Sequence, residues 1–188
     1  MPDHSAPIAP ARSSSRPGGV LGLTVVLLLG VAVYLHGFIQ TLPYQLEPDE
    51  PNIWLFTNAL VTTGKLATYY PPLRLFELAL EHRLLHLITP PERLAQSAYY
   101  VFGRYFTALY GMLLLAVTYQ TGRRLHSRAA GLGAMLFLIA QPDAIHLAKL
   151  LKADVLAWLF GMLTLLLAVR AVREGARWLI LVSVGTGM

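Results

Sequence analysis

Residues 20–39 read VLGLTVVLLLGVAVYLHGFI, a run without one charged side chain. A helix rises about 1.5 Å per residue, so about 20 such residues cross a hydrocarbon layer of about 30 Å. A secretory signal would carry a shorter apolar stretch followed by a small-x-small cleavage site. Gln40-Thr41-Leu42-Pro43-Tyr44 follows instead, so the run reads as an uncleaved membrane helix. The whole chain agrees. Of 188 residues, 55% are hydrophobic and only 13% charged, against about 25% charged in soluble domains. The net charge of +5 then belongs to cytoplasmic loops rather than to a nucleic-acid surface. Cysteine is absent, which excludes disulfides, thiolate metal sites and cysteine nucleophiles.

Ahead of this helix, residues 1–19 are rich in Pro, Ser, Ala and Gly and read as a disordered tail. Beyond it, further spans fit residues 98–120, 129–145 and 153–169. A fifth begins at Trp178 and is cut off at Met188, which reads as a module truncated inside a helix. The third apolar run, 129–140, is short and has to extend into its neighbouring loop to cross. Arginines cluster in the tail, at 123–128 and at 170–177. Four spans put all three clusters on one side, which is cytoplasmic by the positive-inside rule. The loop at about 41–96 and the turn 141–152 then face the opposite, external side. The expected fold is an all-α, polytopic transmembrane bundle of about four full spans plus a truncated fifth.

Prolines punctuate the long external loop. Pro51 after Asp49-Glu50 starts a helix to about Val61, and Gly64 ends it. A second helix covers about 72–88. Leu73, Phe76, Leu80, Leu84 and Leu87 recur at spacings of three and four, with Arg74, Glu77, Glu81 and His82 largely on another face. That pattern is amphipathic, and beside membrane spans it suits a helix lying in the interface.

The residues with chemistry concentrate on the external side. In Glu47-Pro48-Asp49-Glu50, three carboxylates fall within four residues just after a span. Partly desolvated carboxylates make better bases and can also hold a hard divalent cation. A plainer role for Asp49 is to cap the helix at Pro51. In His146-Leu-Ala-Lys149-Leu-Leu-Lys152-Ala-Asp154, two lysines precede an acid at the entry to a span. Lysine binds phosphate as a point charge, although snorkelling lysines beside a capping Asp would look the same. Arg104 sits inside a span, where an ionisable group is a functional candidate. Lys65 and the Tyr69-Tyr70-Pro71-Pro72 run complete the set. The layout suits a substrate with a phosphorylated head and a lipid tail.

The order of these features resembles the N-terminal part of a GT-C fold membrane glycosyltransferase, in the protein O-mannosyltransferase and aminoarabinose transferase superfamily. The resemblance rests on Asp49-Glu50, Gly64…Tyr69-Tyr70-Pro71-Pro72-Leu73, Arg104, Gly122-Arg123-Arg124…Arg128-Ala-Ala-Gly131, and Pro142…His146…Lys149…Lys152-Ala-Asp154. It implies an inverting sugar transfer from a polyprenyl-phosphate-linked donor to an acceptor hydroxyl on the periplasmic or luminal side. It also implies Asp49 as general base, with Glu50 supporting it or helping to hold a divalent metal. Asp154 would be the second acidic position. Lys149, Lys152 and Arg104, with Lys65 and Tyr70, would contact the donor. The expected partners are a lipid-linked sugar and membrane lipids, with no nucleic acid. The Arg-rich, Cys-free chain points to a bacterial inner membrane. A non-enzymatic membrane protein, or a transporter or flippase for lipid-linked sugars, would share this layout.

Overall fold

The computed structural model describes residues 17–37, 48–66 and 70–174. Seven α-helices account for most of them, with no strand among the described residues: α1 Pro17–Leu35, α2 Asp49–Thr63, α3 Pro72–Ile88, α4 Gln96–Leu125, α5 Arg128–Ile139, α6 Pro142–Leu147 and α7 Asp154–Glu174. A short 3-10 turn at Pro91–Arg93 precedes α4. Residues 1–16, Glu47, Tyr69 and the stretch from Trp178 lie outside the described residues, as does the end of the first apolar run beyond Gly37.

Two helices are long and apolar enough to cross a membrane, Gln96–Leu125 and Asp154–Arg173; the apolar stretches Val20–Leu35 and Arg128–Ile139 are shorter. The third expected span takes a different form. α5 stops at Ile139, Gln141 is extended, and Pro142 opens α6 as a separate short helix. Proline lacks the N–H that a continuous helix would need here. α5 therefore covers only about 18 Å at 1.5 Å per residue.

α4 is the central post, packing most extensively against α5 and α7 and also against α1 and α3. One apolar cluster joins α1, α4, α5 and the start of α7 through Val26, Tyr34, Leu115, Tyr119, Met135, Ile139, Ala148 and Val155. A smaller one, Ile53, Leu78, Tyr100 and Leu151, ties α2, α3 and α4 to the loop before α7. That second cluster is what holds α2 and α3 against the bundle.

The turn from α4 to α5 is tight. Ser127 caps α5, its side chain accepting a hydrogen bond from the Ala130 N–H at 3.2 Å, which satisfies one of the free donors of the first turn. Just beyond, the backbones nearly touch: a Cβ on Gly131 would lie 2.6 Å from the Tyr119 carbonyl oxygen and 3.1 Å from the Arg123 nitrogen. Gly131→Ala is expected to lower stability by about 1–3 kcal/mol, because backbone rather than a flexible side chain must yield. Gly133→Ala, where the new carbon meets nothing within 4 Å, is the matched control. Thermal unfolding in detergent, with the control at or above wild type, checks this.

α3 matches its expected bounds, and its charged residues turn toward the bundle. Arg74, Leu75, Leu78, Glu81 and His82 are buried. Leu73, Phe76, Leu80, Leu84, Leu87 and Ile88 are exposed, Leu87 at 83%. The polar face meets the bundle and the apolar face looks out. A surface helix of a soluble domain would be arranged the other way.

Candidate functional site

α2 begins at Asp49, two residues before Pro51, and its N-cap position is Pro48, with no side-chain cap. Asp49 is therefore not the cap. It is an exposed first-turn residue, and its carboxylate lies 3.3 Å from the Lys152 ammonium. Gly64, with a φ of +71°, ends the helix in the left-handed conformation that glycine adopts without strain.

Glu50 points the other way. Its side chain is completely buried. Oε1 accepts from the Arg104 Nε–H at 2.9 Å and from the Leu151 N–H at 2.8 Å, and Oε2 accepts from the Arg104 NH2 group at 2.6 Å. This is the two-pronged geometry that suits a guanidinium and a carboxylate. Arg104 is 1% exposed. The resemblance implies Glu50 as a support for Asp49 or a metal ligand and Arg104 as a donor contact; here the two pair with one another inside the protein, where neither charge is tolerable alone. The clamp fixes the start of α2 to α4 and to the loop before α7.

Of the remaining candidates, Asp49, Lys152 and Asp154 lie around Tyr70. Asp154 is the exposed first residue of α7. With Arg74, Pro71, Leu73, Ala157, Phe160 and Gly161 it lines a cleft of about 380 Å³. Tyr70 stacks loosely on Phe56, ring centroids 6.4 Å apart. Burial, then the negative charge of Asp49, push the Tyr70 phenol up to about 12, with Asp154 adding to the rise and Arg74 and Lys152 opposing it. Asp49, Tyr70, Arg74, Lys152 and Asp154 thus share one electrostatic neighbourhood. Lys149 lies half-buried in the loop after α6. Lys65 is exposed just past the end of α2 and makes none of these contacts. No group of three His, Asp or Glu residues that could hold a metal ion occurs among the described residues, and the oxygens of Glu50 are already engaged.

Sequence reading missed Arg74. It is buried, donates from NH2 to the Thr107 hydroxyl at 2.9 Å, pairs with Glu77, and lies 3.8 Å from Glu81. The Tyr110 hydroxyl donates to Glu77. The signal was present in the spacing 74, 77, 81, one helical face, but nothing in the spacing told which way that face turned.

Two groups on α3 make its seat pH-sensitive. Burial first and the neighbouring Glu77 carboxyl next push Glu81 up, against the pull of Arg74. Burial, then the charge of His86, push His82 down to about 4. Between pH 6.5 and about 4 the unfolded chain therefore takes up a proton at His82 that the folded chain refuses, so the His82 contribution to stability falls as pH falls through that window. Glu81, pushed up instead, contributes in the opposite sense, so the His82 part is read by difference: from pH 7 to pH 4.5 the unfolding midpoint of His82→Phe should rise relative to that of wild type.

Comparison with known proteins bears on this architecture. Residues 84–188, more than half of the chain, match the family model described as dolichyl-phosphate-mannose-protein mannosyltransferase. The chain belongs to this family. No curated protein and no solved structure matches it. Proteins of the mannosyltransferase family are membrane glycosyltransferases that use polyprenyl-phosphate-linked sugars, which agrees with the two long apolar helices. The matched region holds Arg104, Lys149, Lys152 and Asp154. α2, with Asp49 and Glu50, and most of α3 precede it.

Proposed function

We propose that this chain contributes the acceptor-activating part of a site that transfers a sugar from a polyprenyl phosphate to a hydroxyl on the non-cytoplasmic face, with inversion. The observation that carries the reading is the contact between Asp49 and Lys152, 3.3 Å apart in space and more than a hundred residues apart in sequence. It joins the two separate stretches in which the sequence concentrates its charges.

The chemistry follows from the groups gathered there. The acceptor oxygen attacks the anomeric carbon from the side opposite the phosphate. The carbon–oxygen bond to phosphate breaks, and the acceptor proton passes to the Asp49 carboxylate. A single displacement of this kind inverts the anomeric centre. Lys152 holds Asp49 in place and, with Arg74 in the buried lining of the cleft, supplies positive charge near the departing phosphate. Asp154, which lines the same cleft as Arg74, orients acceptor or sugar hydroxyls. Tyr70, kept protonated by its surroundings, can donate a hydrogen bond.

In this reading α1, α4, α5 with α6, and α7 cross the membrane, residues 1–19 are a cytoplasmic tail, and the loop at about 41–96 is external. α3 then lies in the interface with its exposed leucines in lipid, which accounts for its inverted faces. The test is reconstitution in liposomes with a radiolabelled polyprenyl-phosphate mannose and a hydroxyl-bearing peptide, followed by assignment of the product's anomeric configuration. A retained configuration would exclude the single displacement.

A further inference from the structure

α4 and α7 end side by side. The Arg173 NH2 group, in the last turn of α7, donates to the Leu125 carbonyl at the end of α4 at 3.2 Å. The last carbonyls of a helix have no partner within it, so the guanidinium satisfies one of them and meets the negative end of the helix dipole. This contact gathers separate arginine-rich stretches. Arg123 and Arg124 close α4, Arg128 opens α5, and Arg170 and Arg173 close α7. Arg123, Arg128 and Arg173 are exposed. The sole acid in residues 121–130 and 165–174 is Glu174, so this end of the bundle is strongly cationic. It is not the end of the candidate site: Asp154 and Arg173, at the two ends of α7, are about 28 Å apart at 1.5 Å rise per residue. Beside the arginines opens a groove of about 340 Å³, lined by Leu125, Ala168, Val169, Val172 and Arg173.

We propose that this end of α4 and α7 binds a bilayer phospholipid with an anionic head group, its phosphate among Arg123, Arg128 and Arg173 and an acyl chain along Leu125, Val169 and Val172. The proposal is independent of the sugar-transfer reading and concerns a different lipid at the opposite end of the bundle. Three features favour this occupant. Guanidinium groups bind phosphate oxygens in a two-pronged geometry, and basic pockets between membrane helices suit anionic head groups. The arginines border an apolar groove whose Val172 is 88% exposed; inorganic phosphate would use the charges and leave that surface bare, whereas an apolar helix would cover it and leave the charges unneutralised. Both helices are long and apolar enough to cross a membrane, so their shared end lies at the depth of lipid head groups. A lipid seated there bridges the ends of α4 and α7.

The test is native mass spectrometry of the full chain in detergent, titrated with dioleoyl phosphatidylglycerol and with dioleoyl phosphatidylcholine, which share their acyl chains and differ in head-group charge. Wild type should bind the anionic lipid about tenfold more tightly, since each arginine near a head group is worth about fivefold. Arg123→Gln combined with Arg173→Gln should reduce that preference to about twofold or less. Arg123→Gln combined with Arg128→Gln spares the Arg173 hydrogen bond, and with it the packing of α7 on α4, and should lower the preference by about fivefold. Arg83→Gln combined with Arg93→Gln removes two exposed arginines elsewhere, on α3 and the 3-10 turn, and should leave the preference intact. Equal affinity of wild type for the two lipids would overturn the proposal. So would a preference that survives both variants at the ends of α4 and α7, or one that falls as far in the Arg83 and Arg93 control, which would mark a general charge effect. Displacement of phosphatidylglycerol by millimolar inorganic phosphate would assign the arginines to a free anion and overturn the lipid site.

Discussion

Asp49→Asn should cut sugar transfer by about a hundredfold or more, in line with the 10²–10⁴ usually contributed by a positioned general base, and leave the fold standing. Asparagine keeps the size of the side chain and its place in the first turn of α2, but it cannot take the acceptor proton. The only ion pair lost among the described residues is the one with Lys152, in which Asp49 is 58% exposed. Pairs of that kind contribute about 0.2–1 kcal/mol, so the melting temperature should barely move. The loss should fall on kcat, with donor KM within a few-fold of wild type, because Asp49 acts on the acceptor. Transfer that persists at wild-type rate would remove Asp49 as the base and direct attention to Asp154.

Arg104→Ala should do the reverse and damage the protein before it damages the chemistry. Removing the guanidinium leaves the Glu50 carboxylate fully buried with only the Leu151 N–H as partner among the contacts described. Breaking one side of a buried ion pair costs about 3–5 kcal/mol. The clamp also carries α2, so Asp49 would lose its register against Lys152. A sharp drop in thermal stability, partly recovered when Glu50→Gln is combined with it, is the expected result. Had Arg104 been a donor contact, the variant would keep its stability and show only a raised KM. The two roles are therefore separable by one melting curve and one titration. Lys152→Ala, by contrast, should keep stability near wild type and reduce transfer.

Of the candidate residues, Glu50 and Arg104 show how a sequence signal can leave a pairing hidden. An acid beside a span and an arginine inside one are both chemically pointed. Which of the two adjacent carboxylates is buried depends on a rotation of about 100° per residue around α2. Sequence alone does not set the zero of that rotation. The same uncertainty hid Arg74. The spacing of 74, 77 and 81 showed that the charges share a face, and the leucines showed that the apolar residues share another. With water on one side, the charged face would turn outward. Here Thr107 and Tyr110 on α4 provide partners, and the charged face turns inward.

The sequence by itself determined what depends on composition and local geometry. It marked the long apolar helices, the bounds of α3 at Pro72 and Ile88, the end of α2 at Gly64, and the two stretches rich in acids and lysines. Each of these is written in contiguous residues, because helix starts, stops and lipid-matched length are local properties. Only the tertiary structure decided which charges pair with one another, which face the cleft, and that α5 ends short of a full crossing. Those outcomes depend on contacts between residues far apart in the chain, such as Glu50 with Arg104 and Asp49 with Lys152. A buried charge must find its partner wherever packing places it, and local spacing does not carry that information.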